Sequence, residues 1–162
     1  MVTIRRFRRE DAEELAAVIA ATLRETNGRD YSPEYIEKDV QALSADMLVD
    51  RAAWQHLYVA CAQGRIIGCG AIGPYWGREE ESSLFTLFVL PAWQGKGVGR
   101  QIVQRLETDE YFLRARRIEV PAFVTAVGFY QKMGYAPKTG VPAPDEEGLC
   151  RMEKHRDMEK DS

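Results

Sequence analysis

Residues 84–100 read LFTLFVLPAWQGKGVGR, an apolar run followed by a proline and a glycine-rich turn. This pattern predicts a strand over Leu84–Leu90, then a turn, then a helix that begins near Gly97. Glycine lets backbone N–H groups crowd around an anion, and a helix start adds unpaired donors and the positive end of a dipole. Lys96 and Arg100 add full positive charge. The segment therefore predicts a site for a phosphate-bearing ligand.

The glycine spacing limits which phosphate ligand this turn could bind. A P-loop needs G-x-x-x-x-G-K-[ST], and the pair Gly95-Lys96 does not fit it. The dinucleotide fingerprint G-x-G-x-x-G has a different spacing, although Glu119 lies at a suitable distance downstream for a ribose contact. A nucleotide-dependent enzyme therefore stays open, as does an ordinary strand-to-helix turn without a ligand.

Two sequence blocks carry a family resemblance. The pattern Gln94-x-x-Gly97-x-Gly99 resembles the Q/R-x-x-G-x-G/A signature of the GNAT N-acetyltransferase superfamily. Further along, AVGFYQKMGY at residues 126–135 is similar to that superfamily's second block, A-x-x-F-Y-x-K-x-G-F/Y. The blocks occur in the family's order, and the resemblance extends from Thr3 to about Lys154.

The resemblance implies a single-domain GNAT fold of the α/β (α+β) class, with a central, mixed and splayed β-sheet flanked by about four helices. Apolar spacing predicts helices from Asp11, with Glu14 completing a capping box, and from Ser32-Pro33. Two more are predicted at 97–109 and 124–133. We expect residues 1–154 to form the acetyltransferase domain and residues 155–162 a charged, solvated tail.

The same resemblance implies acetyl-CoA as cosubstrate, held where the sheet splays between the strand ending at Val89 and the strand near Ile118–Val120. The backbone of Leu87, Phe88 and Val89 would pair with the pantetheine arm, and an N–H near Val89 would polarise the thioester carbonyl. Core packing is the alternative role for these three residues. Thr125 would hydrogen-bond the pantetheine or cap a helix. The amides that would bind the pyrophosphate are those of Gln94, Gly95, Lys96, Gly97, Val98, Gly99 and Arg100.

The implied chemistry is transfer of an acetyl group from sulfur to a primary amine by direct attack. Tyr130 aligns with the tyrosine that protonates the departing thiolate and contacts the cofactor in many relatives; packing beside the sulfur is its alternative role. Some relatives carry a glutamate base where this chain has Ser83. Glu81, two residues earlier on the same face of a strand, would then act through water. The alternative is that Glu79–Glu81 form a solvated turn.

The acceptor amine, small molecule or protein, is implied to bind near the loop at residues 27–31. There, Asp30 would anchor an ammonium group and Tyr31 would form a pocket wall. The sequence does not select among amines. A cofactor-binding regulatory module without catalysis stays open as a further class of protein.

Bulk composition predicts a compact cytoplasmic protein. The chain has 162 residues, of which 45% are hydrophobic and 29% charged, and its net charge of −3 argues against nucleic-acid binding. No apolar stretch is long enough to cross a membrane. Three cysteines and two distant histidines show no metal-ligand spacing, so no metal site is expected. Exposed sheet edges would allow a homodimer.

Overall fold

The structure is a computed structural model that describes residues 1–75 and 77–156. In these residues it contains seven strands and six α-helices, which confirms the predicted mixed α/β class. The chain forms two compact units: Met1–Ala71 with Thr86–Leu106, and Ile72–Phe85 with the residues from Glu107 onward. Two long strands, Arg65–Tyr75 and Arg78–Val89, contribute residues to both units.

The first unit combines four helices with four strand segments. The elements are β1 (Thr3–Arg6), α1 (Ala12–Glu25), α2 (Pro33–Ala42), α3 (Ala45–Ala52), β2 (His56–Ala62), residues 65–71 of β3 (Arg65–Tyr75), residues 86–89 of β4 (Arg78–Val89) and α4 (Val98–Leu106). Helix α1 contacts α2 and α3, and α4 contacts β1 and β2. The strand order is β1-β2-β3-β4, and β1 runs antiparallel to β2 with Thr3 opposite Cys61.

The second unit is mainly sheet. Besides the ends of β3 and β4, its elements are α5 (Glu110–Leu113), β5 (Arg117–Phe123), α6 (Val127–Lys132), β6 (Ala136–Pro137) and β7 (Leu149–His155). The strand order is β3-β4-β5-β7-β6. Strand β5 is parallel to β4 over three residue pairs, from Glu81 opposite Arg117 to Ser83 opposite Glu119. It is antiparallel to β7 over seven pairs.

The start of α1 differs from its prediction. Ser32 caps α2 as predicted, since its hydroxyl accepts from the Tyr35 N–H at 3.1 Å. Asp11 makes no capping bond to α1, because its carboxylate pairs with Arg5 at 2.8 Å. Glu14 accepts instead from the Ile66 N–H on β3, also at 2.8 Å. The predicted capping box is therefore wrong: both carboxylates bond outside the helix.

Strand β4 starts earlier than the predicted Leu84, and this changes the interpretation of Glu79–Glu81. These glutamates lie in the strand and not in a turn, so that part of the alternative is wrong, but Glu79 and Glu80 are exposed to solvent as it expected, and only Glu81 is half-buried. Helices α3 and α5 were not predicted, although Ser44 and Asp109 cap them through Met47 and Tyr111.

The predicted boundary between residues 154 and 155 stays a prediction, as does the homodimer. Strand β7 runs to His155, and the guanidinium of Arg156 donates to the carbonyl of Phe112 at 2.8 Å. The rest of the expected tail, residues 157–162, lies outside the described residues. Over the described ranges, no helix has both the length and the apolar character required to traverse a bilayer.

Candidate functional site

The turn between β4 and α4 has the backbone geometry of an anion site. Gly95 and Gly97 have φ angles of 75° and 81°, a conformation that strains residues carrying a Cβ. A Cβ added to either glycine would meet no described atom within 4 Å, so the space beside the turn is open. Helix α4 follows at Val98, and its first N–H groups lack intrahelical acceptors. Such a turn can bind phosphate oxygens through its main chain.

The two basic residues of the turn have different surroundings. Lys96 Nζ lies 5.3 Å from the centroid of the Trp93 ring, a cation–π contact within the turn itself. Arg100 is exposed on the first turn of α4, and no ion pair in the described part of the chain includes it. Both charges stand beside the glycines, as predicted, but only Lys96 is held in place by a neighbour on the turn.

Gln94 ties the turn to two other elements of the first unit. Its side-chain Nε2 donates to the Val89 carbonyl at 3.0 Å and to the Thr26 hydroxyl at 2.9 Å. Val89 ends β4, and Thr26 caps the C-terminus of α1. The family resemblance implies only a backbone role for Gln94. Local spacing in the sequence cannot predict that Thr26 and Gln94, 68 residues apart, are in contact.

The end of β4 contains a kink at Thr86. Its φ is 56°, which is rare for a β-branched residue within a strand. After this kink, Phe88 packs into the core with 5% of its surface exposed, whereas Leu87 and Val89 are half-buried. No pattern in the sequence predicts this conformation at Thr86. The packing role of Phe88 is confirmed, and a backbone role of Leu87, Phe88 and Val89 toward a ligand stays a prediction.

The second unit holds a charged cluster centred on Arg117. Its Nε donates to Glu81 at 2.6 Å, and its Nη1 donates to Glu119 and Glu153 at 3.0 Å each. Glu119 is only 1% exposed and also accepts from Lys138 at 3.0 Å. Burial acts to raise the pKa of Glu119, but the hydrogen bonds from Lys138 and Arg117 outweigh it, so that pKa is lowered.

The surroundings of Glu119 do not suit the ribose contact that the dinucleotide alternative requires. Its carboxylate is buried and paired with three cations, so it is not available to a sugar hydroxyl. Glu119 lies opposite Ser83, the position where the resemblance places a glutamate in some relatives. The Ser83 hydroxyl is buried and donates to the Leu84 carbonyl at 3.2 Å. A carboxylate is therefore present beside position 83, on the neighbouring strand β5, but it belongs to the ion cluster.

Tyr130 is buried on α6, with 4% of its surface exposed. Burial raises the pKa of its hydroxyl. Its ring packs edge-on against Tyr135, with centroids 5.8 Å apart. Tyr135 donates to Glu107 at 3.1 Å, and Lys154 donates to the same carboxylate oxygen at 2.7 Å. Tyr130 is therefore a protonated phenol at neutral pH, positioned by a neighbour that is itself anchored.

The remaining predicted residues lie in both units. Thr125 is exposed in a short 3₁₀ turn just before α6, in the same unit as Tyr130. In the first unit, Asp30 is exposed, and the ring of Tyr31 stacks on Tyr35 with centroids 4.6 Å apart. Across the described ranges, no three or more His, Cys, Asp or Glu side chains are grouped to hold a metal ion.

Comparison with known proteins gives a family and a set of structural neighbours. The family described as "Acetyltransferase (GNAT) domain" matches residues 53–137, just over half of the chain. An amino-acid acetyltransferase of Mycobacterium tuberculosis is 32% identical over 90 residues, which are 54% of this chain and 49% of that protein. The chain thus matches only about half the length of this relative.

Two solved structures show the same fold. The PaiA N-acetyltransferase of Thermoplasma acidophilum, in complex with coenzyme A, has a TM-score of 0.80 at 21% identity, covering 96% of this chain and 99% of that one. A GNAT family acetyltransferase of Brucella melitensis, in complex with acetyl-CoA, has a TM-score of 0.71 at 22% identity, covering 97% and 89%.

Proposed function

Because the chain belongs to the GNAT acetyltransferase family, we propose that it transfers an acetyl group from acetyl-CoA to a primary amine by direct attack on the thioester. The observation that carries the proposal is the turn at residues 94–97, with two left-handed glycines and open space at the start of α4. The ligands named for the two solved structures, coenzyme A and acetyl-CoA, support this cosubstrate.

The pyrophosphate is bound by main-chain N–H groups from Gly95 to Arg100, because the Gln94 N–H, also predicted for this role, already donates to the Pro91 carbonyl at 3.2 Å. The open surroundings of Gly95 and Gly97 fit this group, since side chains there would occupy the approach to the N–H groups. Leu87 pairs with the pantetheine arm through its backbone, and Thr125 adds a hydrogen bond to the arm. The Phe88 N–H, also predicted for this pairing, is instead directed at the sulfur of Cys69 on β3. The Val89 N–H polarises the thioester carbonyl and stabilises the negative charge that forms there.

Acetyl transfer forms a C–N bond, breaks the C–S bond and removes one proton from the amine. At pH 7, neutralising an ε-amine with a pKa of about 10.4 costs about 4.6 kcal/mol, whereas an α-amine near 8 costs about 1.4 kcal/mol. Glu81 is the base, acting through water, but its Oε1 already accepts from Arg117 at 2.6 Å. Because this oxygen is already engaged by a guanidinium, the arrangement favours acceptors whose amines lose a proton at the lower cost, which are α-amines.

The acceptor binds at the loop after α1. The exposed Asp30 carboxylate pairs with the ammonium form, and Tyr31, fixed by its stack on Tyr35, forms a wall. Replacing Asp30 with Asn should raise KM for the amine and leave KM for acetyl-CoA unchanged. A change confined to the KM for acetyl-CoA would contradict this placement.

The departing thiolate takes its proton from Tyr130. Burial raises the pKa of this phenol further above that of a thiol, which is about 8.5, so complete proton transfer to the thiolate is uphill and the contribution is partial. Tyr130→Phe should lower kcat at saturating acetyl-CoA, with an unchanged melting temperature. Tyr135→Phe is the matched control, because it removes a neighbouring buried hydroxyl that bonds Glu107 instead. Equal kcat in Tyr130→Phe and the wild type would remove the acid role.

The decisive experiment combines ligand binding with thiol release. Acetyl-CoA at 100 times its Kd should add about 2.7 kcal/mol of stability, whereas NAD and ATP should leave the melting temperature unchanged. The rate of thiol release from acetyl-CoA should then depend on an added amine, and it should be higher with α-amines than with ε-amines. Stabilisation by NAD or ATP alone would indicate a nucleotide-dependent enzyme. Binding of acetyl-CoA without transfer to any amine would indicate a regulatory module.

A further inference from the structure

A buried thiol bridges the kink at Thr86 from the neighbouring strand. Cys69, on β3, has none of its surface exposed, and its Sγ donates to the Thr86 carbonyl at 3.1 Å. The backbone N–H of Phe88 donates to the same sulfur. One side chain therefore connects a carbonyl and an amide that lie two residues apart on β4, on either side of Leu87.

The kink needs such support because its conformation is strained. A β-branched residue with φ of 56° persists only where its surroundings hold it in place. A kinked residue also disturbs the regular ladder, so its carbonyl and the next amides need other partners. The thiol of Cys69 is a donor to one of these groups and an acceptor for the other, which few apolar side chains could provide.

The two glycines beside Cys69 bring β3 close to β4 and α4. A Cβ at position 68 would lie 2.7 Å from the Phe88 carbonyl oxygen, and one at position 70 would lie 2.5 Å from Cγ2 of Ile102. No real side chain fits either distance, so the close approach requires glycine at both positions. This packing fixes the β3 backbone, and therefore the sulfur, relative to the kink.

We propose that Cys69 is a positioning residue for acetyl transfer, whose thiol holds β4 from Thr86 to Phe88 so that the next residue, Val89, keeps its N–H directed at the thioester carbonyl. This inference rests on the proposed function, which assigns that N–H to the carbonyl. Burial raises the pKa of the Cys69 thiol to about 12, with the Phe88 N–H acting against it, so the S–H donor is retained at neutral pH.

The test compares Cys69→Ala, Cys69→Ser and Cys150→Ala. Cys150 is the matched control, since it is also buried and its Sγ lies 3.8 Å from the Pro142 carbonyl, in the other unit. Cys69→Ala should lower kcat roughly tenfold, because two hydrogen bonds to the β4 backbone are lost. It should also reduce the preference for acetyl-CoA over coenzyme A, which lacks the thioester carbonyl. In Cys69→Ser, both kcat and the preference for acetyl-CoA should lie between those of the wild type and Cys69→Ala. Cys150→Ala should change neither kcat nor this preference.

Amide exchange provides a readout that does not depend on transfer. The Phe88 N–H should exchange faster in Cys69→Ala than in Cys150→Ala at equal overall stability, because its acceptor is gone. Unchanged kcat and unchanged Phe88 exchange in Cys69→Ala would overturn the proposal and leave Cys69 as packing. If the wild type transfers no acetyl group, the proposed function fails, and Phe88 exchange alone decides whether Cys69 holds the kink.

Discussion

The glycine turn at residues 94–97 and the charged cluster around Arg117 differ in which groups make their hydrogen bonds and in whether those groups face solvent. The turn is exposed, and its geometry comes from the main chain: left-handed glycines and the start of a helix. The cluster is closed, with Arg117 14% exposed and Glu119 1% exposed, and side chains from three strands satisfy one another. The turn thus offers main-chain donors to a ligand, whereas the Nε and Nη1 donors of Arg117 are already used within the cluster.

Removing Arg117 should have the largest effect on stability. Arg117→Met leaves three carboxylates without their shared guanidinium. Removing one partner of a buried ion pair typically lowers the free energy of unfolding by about 3–5 kcal/mol. The matched control is Arg24→Met, which breaks the exposed pair with Glu37 at 2.9 Å and should change stability little. Urea unfolding at pH 7 measures both. Equal losses would mean that the cluster does not stabilise the second unit more than a surface pair does.

Gly97→Ala should weaken acetyl-CoA binding roughly tenfold, because a left-handed alanine costs about 1–2 kcal/mol and the turn relaxes away from its binding geometry. Gly64→Ala is the matched control: Gly64 has φ of 74° and equally open surroundings, but it lies in the β2–β3 turn. Both variants should lose similar stability in urea. Calorimetry should show weaker binding in Gly97→Ala only, and weaker binding in both would indicate a general effect on the fold.

Glu119 should make the stability of the protein sensitive to acid. Its folded pKa is lowered from the ordinary 4.5, so the unfolded chain binds the proton more tightly than the folded one. The stability it contributes is fully present above the unfolded pKa and is lost as the pH falls through the folded pKa. Glu119→Gln should therefore be less stable at pH 7, and the gap to the wild type should narrow below about pH 4.5. A gap that stays constant with pH would mean that the titration of Glu119 is not linked to folding.

The turn was predictable from sequence because its geometry depends on a few neighbouring residues. Glycines at alternate positions and a following amphipathic helix are local signals, as is Ser32 before Pro33. The Arg117 cluster was not predictable, since it depends on the parallel register that places Glu81 opposite Arg117. Three consecutive glutamates look like a solvated turn until that partner strand is known.

The same difference explains the errors at single residues. Asp11 and Glu14 have capping-box spacing, but residues distant in sequence or outside the helix compete for their carboxylates. Thr86 carries no signal in sequence for its left-handed φ, because threonine ordinarily favours the extended conformation. Its carbonyl accepts from Cys69 on β3, and a partner of this kind is known only once the strands are paired.

Replacing the two basic residues of the turn should have the smallest effect, if the main chain carries the binding. Arg100→Met and Lys96→Met each remove one exposed charge, which is worth less than about 1 kcal/mol near a surface. Affinity for acetyl-CoA should fall only a few-fold, and the loss should shrink in high salt because ions screen exposed charges. Arg100→Met should cost more than Lys96→Met, since the Lys96 charge also contacts Trp93. A salt-independent loss that exceeds the effect of Gly97→Ala would reverse the comparison and make the turn a side-chain site.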